Sequence, residues 1–386
     1  MTKDMGFATV CVHAGMQAEE VTGAVIPPIF QTSTYMQQEP GVHAGYDYSR
    51  ADNPTREHYE TALAAAEGAE YALSFASGLC AVQALVHQLE PGSHVLVCDD
   101  VYGGTGRLFR ELYQKYGIEF QFVDMSSVEQ VAKWMRPNTR MVWVETPTNP
   151  TLKVVDIAGI AELTAVGSAL LVVDNTFATP CFQRPLSCGA DIVLHSTTKY
   201  IGGHSDLIGG AVVMSDANLF ERLKFYQFAA GGVPSPFECF LLLRSLKTLD
   251  VRMQRHAENA EQVVQFLARR PEVDQIFFPG SVNESQHEVM KRQMSGTSGM
   301  ISFNLKGDYA KVKKFLQSLE VFTLAESLGG VESLVNHPAK MTHASVPPAL
   351  REKLGITSQM VRLSVGIESS VDILADLEQA FDRLGT

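Results

Sequence analysis

The chain has 386 residues, of which 45% are hydrophobic and 19% charged, and its formal net charge is −12. This composition is typical of a soluble globular protein with a large core, and at roughly 150 residues per domain the length predicts two or three domains. The acidic balance argues against nucleic acid as a main partner, because phosphate binding requires a basic surface. No apolar run reaches membrane-spanning length and the first residues show no targeting pattern, so we expect a cytoplasmic protein that does not bind membranes.

Cysteine and histidine give no sign of a disulfide scaffold or a metal site. Six cysteines occur, none of them in a CxxC pair, and this low density predicts reduced thiols. No His/Cys cluster has the spacing of zinc ligands. We therefore expect no metal.

The first part of the chain is predicted to be an irregular arm. Residues 1–60 are rich in turn formers and aromatics, as in PPIFQTSTY and GYDYSRADNPT, and provide little core of their own. A helix is predicted to begin at Pro54, since proline suits the first helical turn, and to end at Gly68.

Strands and helices alternate over residues 70–215. Short runs that are apolar on both faces, separated by helical stretches, indicate an α/β fold with a mostly parallel seven-stranded sheet and helices on both faces. The predicted strands are residues 71–75, 94–99, 119–124, 141–147, 169–175, 191–196 and 210–215. Ligands bind outside the carboxyl ends of such strands, and we therefore expect the functional groups there.

The remainder of the chain predicts a second, smaller α/β unit. Residues 217–265 are expected to be helical with a break at 231–236. Further strands are expected in QIFFPG, GMISFNL and VRLSVGI, and an amphipathic helix closes the chain. We therefore divide the chain into an arm (1–60), a large domain (61–250) and a C-terminal α/β domain (251–386).

Several polar groups follow the predicted strands of the large domain. The turn at Gly78 and Leu79 opens a helix, where free N–H groups can bind an anion, although a plain tight turn explains it equally. Tyr102 can stack on a ligand ring or simply pack. Asp174 ends an apolar strand, where a carboxylate needs a cationic partner or caps a helix. Asn149 can offer an amide to a ligand or form a turn.

Lys199 is the most informative of these residues. It follows an apolar strand together with the hydroxyls of Ser196 and Thr198, and glycines come after it. A lysine at such a position is desolvated, loses its proton readily and attacks carbonyls. The alternative is a solvated surface lysine.

Together these groups match the needs of pyridoxal 5′-phosphate, and their order fits the large domain of a fold-type I enzyme. Lys199 forms a Schiff base with the cofactor aldehyde, Asp174 pairs with the ring nitrogen and Tyr102 covers the ring. The phosphate is assigned to backbone and hydroxyl groups of Gly78, Leu79, Ser196 and Thr198.

The sequence resembles the Cys/Met-metabolism family of pyridoxal-phosphate enzymes over essentially its whole length, and within it the cystathionine γ-lyases and γ-synthases. The segment DIVLHSTTKYIGGHSDLIGG matches the lysine signature of that family. Further matches are YSR (48–50), NPT (53–55), SGL (77–79), ETPTNP (145–150), VVDNTF (172–177), AESLGGVESL (325–334) and VRLSVGIE (361–368).

The resemblance implies that some site residues come from a neighbouring subunit. Tyr48 and Arg50 match residues that reach the phosphate of the adjacent subunit, and the guanidinium fork of arginine suits phosphate. Shared sites imply at least a dimer. The family organisation implies a homotetramer built from such dimers.

The resemblance also implies a binding site for an amino-acid substrate. Arg362 matches the residue that holds the substrate α-carboxylate, with Asn149 and Ser333 nearby. Asp47 and Glu332 match acids that meet the distal amino group of cystathionine. Two solvated acids are the alternative for that pair.

The implied reaction is γ-elimination of cystathionine to cysteine, 2-oxobutanoate and ammonia, a step of transsulfuration, with Lys199 as proton shuttle and Tyr102 assisting as an acid or base. Gly104 stands where methionine γ-lyases have cysteine, which argues against that activity. Leu79 and SGTSGMISF favour the lyase. A γ-synthase that joins cysteine to an O-acylhomoserine, and a broader lyase that also performs β-elimination, stay open as alternatives.

Two unrelated classes of protein are disfavoured. A non-enzymatic homologue is expected to have lost Lys199 or Arg362, and both are present. A nucleotide-binding α/β protein needs GxGxxG or GxxxxGK[ST] at the first strand turn, and SGLCAV is neither.

Overall fold

The computed structural model describes residues 5–280, 284–344 and 346–385. The chain begins with helix α1 (Phe7–His13) and continues through an irregular segment to helix α2 (Pro54–Glu67). The Asn53 side chain caps α2, and the helix ends at Gly68 in the left-handed region at φ 73°. The helix predicted from Pro54 to Gly68 is confirmed, and the predicted end of the arm at residue 60 falls inside it.

A seven-stranded sheet forms the centre of the large unit, with the spatial order β1-β7-β6-β5-β4-β2-β3. Six strands run in one direction, and β7 is antiparallel to both of its neighbours. The predicted mostly parallel sheet is confirmed. Its strands are β1 (Tyr71–Phe75), β2 (His94–Cys98), β3 (Glu119–Val123), β4 (Thr139–Glu145), β5 (Leu170–Asp174), β6 (Ile192–His195) and β7 (Gly210–Met214).

Helices cover both faces of this sheet. On one face Leu85 and Leu223 pack around Trp143, and on the other Val131 and Ile160 belong to a second cluster. Burying a side chain of this size stabilises the fold by about 1.5–3 kcal/mol. The helices are α3 (Gly78–Val86), α4 (Gly103–Arg107), α5 (Val128–Trp134), α6 (Ile157–Gly167), α7 (Thr179–Phe182) and α8 (Ala217–Ala230).

The helical stretch between β2 and β3 is irregular. After α4 the backbone widens into a π-helical segment (Leu108–Tyr113) and tightens into a 3-10 turn (Gln114–Tyr116). Three of the five residues of α4 are glycines, which stabilise a regular helix poorly. A second 3-10 turn spans Pro185–Cys188.

The chain passes from the large unit to the second sheet through α9 (Pro236–Leu246) and α10 (Leu249–Leu267). Together with α8, these helices confirm the predicted long helical region and its break. A capping box between Ser235 and Glu238 starts α9. The predicted domain boundary at residue 250 falls at the start of α10.

The second sheet has five strands in the order β10-β11-β12-β9-β8, antiparallel except for the β10–β11 pair. Leu267, Phe315 and Phe381 pack with Phe303 into its core. The two- and three-residue strands β10 and β11 were not predicted, because such short segments show no periodicity. The elements are β8 (Val273–Phe277), α11 (Glu284–Gln293), β9 (Met300–Leu305), α12 (Tyr309–Ser318), β10 (Thr323–Leu324), β11 (Leu334–Asn336), α13 (Pro348–Lys353), β12 (Met360–Ser364) and α14 (Ser370–Asp382).

Candidate active site

A cavity of 490 Å³ lies at the carboxyl ends of the parallel strands, where an α/β sheet places its ligands. The large unit contributes the start of α3 and the ends of β4, β5 and β6. The C-terminal unit closes the other side. The polar residues that line the cavity are Ser77, Tyr102, Thr105, Glu145, Asn149, Asp174, Thr176, Ser196, Thr198, Lys199, Glu326, Ser327, Thr342 and Arg362.

The Lys199 amine lies inside this cavity and donates a hydrogen bond to Ser327 Oγ at 2.6 Å. Burial, and then the positive charge of Arg362, lower the pKa of this amine to about 8, against the opposing effect of Glu326. An appreciable fraction of Lys199 is therefore neutral near pH 7. A neutral amine is the form that attacks a carbonyl or accepts a proton.

Arg362 lies across the cavity on β12 and is 1% exposed. Its Nη1 donates to Asn149 Oδ1 at 2.7 Å and its Nη2 to the Ser327 carbonyl at 3.2 Å, while Nε has no hydrogen-bond partner among the described residues. Burial lowers its pKa to about 10. A buried guanidinium that meets only neutral acceptors is costly, which suits it to bind the carboxylate of a ligand.

Asp174 ends β5 inside the same cavity. Its Oδ1 accepts the Thr176 backbone N–H at 3.1 Å and the Thr176 hydroxyl at 2.5 Å. Burial raises the pKa of this carboxyl, and the two Thr176 hydrogen bonds oppose that rise. A buried carboxylate that is held by two donors suits a cationic nitrogen that enters the cavity beside it.

The start of α3 faces the cavity beside the end of β6. Ser77 caps the helix by accepting the Cys80 N–H at 3.1 Å, and the N–H groups of Gly78 and Leu79 belong to the first turn, which has no partner within the helix. A Cβ atom on Gly78 would lie 3.1 Å from Ser196 Cβ, which is a tight contact, so glycine suits this point. The turn and the Ser196 hydroxyl can thus hold an anion.

Two predicted cofactor residues have additional roles. The Thr198 hydroxyl accepts the Gly209 N–H at 3.0 Å and donates to the Gly209 carbonyl at 3.2 Å, so it also holds the lysine loop to the residue that precedes β7. Tyr102 is 42% exposed, and its N–H donates to Glu145 Oε2 at 2.8 Å. Sequence reasoning missed Glu145, although it ends an apolar strand just as Asp174 does.

The arm residues lie away from this cavity. Tyr48 and Arg50 line a different groove near Gly231, where Arg50 Nη1 donates to the Phe228 carbonyl at 2.7 Å. Asp47 is exposed beside them. Within one chain these residues do not meet Lys199, and their predicted contact with a neighbouring subunit stays a prediction.

Two residues of the predicted substrate site lie outside this cavity. Ser333 is fully buried and donates to Glu368 Oε2 at 2.9 Å, and Glu332 accepts a hydrogen bond from the Ser205 hydroxyl; neither lines the cavity. The motif AESLGGVESL contains two Glu-Ser pairs, and the first one, Glu326 and Ser327, faces Lys199. Sequence alone did not indicate which pair turns inward.

The residues present fit pyridoxal 5′-phosphate. The cavity combines an amine of lowered pKa (Lys199), a buried carboxylate (Asp174), an anion-binding helix start and an exposed aromatic ring (Tyr102). These are the groups that this cofactor requires for its aldehyde, ring nitrogen, phosphate and ring face. Fold and site therefore define a fold-type I pyridoxal-phosphate enzyme.

Comparison with known proteins gives the same class. Residues 8–382 match the family described as Cys/Met metabolism PLP-dependent enzyme, and the chain belongs to it. It is thus a pyridoxal-phosphate-dependent carbon–sulfur lyase.

Individual relatives match over nearly their full length. A cystathionine gamma-lyase of Dictyostelium discoideum is 50% identical over 376 residues, which is 97% of each chain. A cystathionine beta-lyase of Coxiella burnetii is 50% identical over 374 residues, 96% of this chain and 97% of the relative. The crystal structure of metB from Corynebacterium glutamicum superposes with a TM-score of 0.96 at 46% identity, and each chain is covered completely.

Two further findings concern membrane-spanning helices and clusters of metal-binding side chains. No helix within residues 5–280, 284–344 and 346–385 is long and apolar enough to cross a membrane. The same described residues contain no group of three or more His, Cys, Asp or Glu side chains suited to a metal ion.

Proposed function

We propose that the protein catalyses γ-elimination of cystathionine, which consumes water and yields cysteine, 2-oxobutanoate and ammonia. The observation that carries the proposal is the contact between Lys199 and Ser327, which places a partly neutral amine beside the buried Arg362 guanidinium. An amino acid whose carboxylate binds Arg362 thereby presents its Cα–H to an amine that can accept the proton.

Each step draws on specific residues of the chain. Arg362 and Asn149 hold the substrate α-carboxylate, and their mutual hydrogen bond fixes both in advance. When bound, pyridoxal phosphate supplies an electron sink that makes the Cα proton acidic. Lys199 accepts this proton and, with Tyr102, moves further protons during loss of the γ-substituent. The Ser327 hydroxyl holds the Lys199 amine between transfers.

The acid on the cavity wall supports a substrate with a second ammonium group. Glu326 lies close enough to Lys199 and Arg362 for its charge to stabilise both cations, and it lines the cavity. A distal ammonium that enters beside it gains an ion pair. This feature favours cystathionine over amino acids with an apolar side chain.

A second subunit completes the proposed site. Tyr48 and Arg50 lie outside the cavity of their own chain, and the arm exposes apolar side chains such as Val21 and Met36, which are 89% and 90% exposed. Exposed apolar surface of this kind is typical of a contact with another protein surface. We propose that each arm reaches the phosphate of a partner chain within a homotetramer, where Asp47 also faces the substrate.

One parallel assay tests the reaction. Purified holoenzyme is given cystathionine, and 2-oxobutanoate and pyruvate are measured separately, with Lys199→Ala as the blank. Predominant 2-oxobutanoate supports γ-elimination, whereas predominant pyruvate supports β-elimination, the candidate favoured by the equally similar beta-lyase of Coxiella burnetii. A third vessel with an O-acylhomoserine and cysteine detects synthase activity, and faster formation of cystathionine there overturns the proposal.

A further inference from the structure

Glu145 is a buried acid that lines the cavity, and the proposed reaction assigns it no role. It is the last residue of β4 and is paired in register with Asp174, the last residue of β5. Register partners on neighbouring strands point to the same face and lie about 4.8 Å apart. Both line the cavity and are less than a tenth exposed, at 5% and 8%.

The charge of Asp174 acts on Glu145 within this buried site, and neighbouring buried carboxylates resist ionising together because their repulsion is poorly screened. The other charged groups that act on Glu145 are the Asp100 carboxylate, which adds to the repulsion, and the Arg362 guanidinium, which opposes it. Arg362 is engaged with Asn149 and Ser327. This arrangement favours a proton on one of the two strand-end acids.

The hydrogen bonds indicate which acid holds the proton. Asp174 receives two donors from Thr176, and the charge of His195 also favours its ionised form. Among the residues that the structure describes, Glu145 receives a single donor, the Tyr102 N–H. Burial, and then the charge of Asp174, raise the pKa of Glu145 well above its ordinary value. The proton thus belongs to Glu145.

We propose that Glu145 is a positioning residue that stays a neutral carboxylic acid, holding Tyr102 through Oε2 and presenting its acid proton to the cavity beside an ionised Asp174. Its contact with the Tyr102 backbone fixes the residue whose ring borders the cofactor space. Its neutrality leaves Asp174 as the anion that faces the ring nitrogen. The inference rests on the proposed function only in taking this cavity as the active site.

Infrared difference spectroscopy of the holoenzyme tests the protonation state without substrate. The spectrum of wild type minus Glu145→Gln at neutral pH is expected to contain the C=O stretch of a protonated carboxylic acid. Glu129→Gln is the control, since Glu129 is exposed and hydrogen bonds from Ser127 and its own backbone lower its pKa. That variant is expected to lose only carboxylate bands. Loss of only carboxylate bands in Glu145→Gln overturns the proposal.

A second pair of variants tests the positioning role. Glu145→Gln keeps a carbonyl that accepts the Tyr102 N–H, whereas Glu145→Ala leaves this donor unpaired. We expect Glu145→Ala to weaken cofactor binding roughly 10- to 100-fold, the usual effect of an unsatisfied buried group, and to shift the cofactor absorbance, with a smaller change for the glutamine. Equal losses of melting temperature in both variants, with unchanged cofactor affinity and absorbance, show a merely structural role. These readouts need no turnover, so they stay valid if the proposed reaction is wrong.

Discussion

Replacing Ser327 by alanine is the sharpest test of how the lysine is held, because the chain offers a matched control six residues away. Ser327 Oγ accepts a hydrogen bond from the Lys199 amine at 2.6 Å, and the residue has a left-handed backbone at φ 83°. Ser333 occupies the same place in the second Glu-Ser pair. Its hydroxyl accepts the Gly366 N–H at 2.9 Å and donates to Glu368.

The two variants are expected to fail in different ways. Ser327→Ala removes one hydrogen bond from the reacting amine, about 0.5–1.5 kcal/mol, so kcat/KM should fall roughly 2- to 12-fold at about 1.4 kcal/mol per factor of ten. Its stability should change little, because the hydroxyl borders the cavity. Ser333→Ala leaves a buried N–H and a carboxylate oxygen unpaired and should lower the free energy of unfolding by about 1–3 kcal/mol.

Steady-state kinetics with cystathionine and urea unfolding monitored by fluorescence separate these effects. The stability measurement removes the concern that reduced activity reflects unfolded protein. If Ser333→Ala lowers kcat/KM more than Ser327→Ala in fully folded samples, the inward assignment of the first Glu-Ser pair is wrong. Glu326→Gln and Glu332→Gln form a parallel pair, and only the former should raise KM.

Three further predictions concern the amine, the guanidinium and the arm. The rate at which cofactor-free protein binds pyridoxal phosphate should rise with pH and level off above about 8, because burial lowers the pKa of Lys199 to about 8 and only the neutral amine reacts. Stopped-flow absorbance measures this rate, and a rate that is constant from pH 6 to 9 contradicts the prediction. Arg362→Lys keeps the charge but loses the fork, so KM should rise and kcat/KM should fall by roughly two orders of magnitude, and near-normal kinetics would exclude a clamp. Mixing inactive Lys199→Ala chains with inactive Arg50→Ala chains should restore roughly a quarter of wild-type activity if sites are shared between two symmetric subunits. If no activity returns after subunit exchange, Arg50 lies outside a shared site.

The parts of the fold that follow from local pattern were predictable. Apolar runs of strand length gave all seven strands of the large sheet, because buried parallel strands are continuous in hydrophobicity. The strand-end rule then brought Asp174 and Lys199 to one cavity. The same rule applies to Glu145, but that residue was assigned to the interior of the apolar run 141–147 and its carboxylate was overlooked.

Other features depend on tertiary structure that a local pattern does not encode. Which Glu-Ser pair faces the lysine is decided by the turn at Ser327 and by the hydrogen bonds that Glu368 accepts from Ser333. The irregular course after α4 and the short strands β10 and β11 likewise carry no periodic signal. The conformation of the arm is the least constrained by contacts within its own chain, since few arm residues are buried in that chain.

The cavity is divided between the large unit and the C-terminal unit. Lys199 and Asn149 come from the large unit, while Ser327 and Arg362 come from the C-terminal unit, and the bonds from Lys199 to Ser327 and from Arg362 to Asn149 join them. Both bonds involve groups assigned to the reaction. In the proposed reaction, a substrate carboxylate bound to Arg362 contacts the same guanidinium that links the two units, which would couple binding at the clamp to alignment of the amine through Ser327.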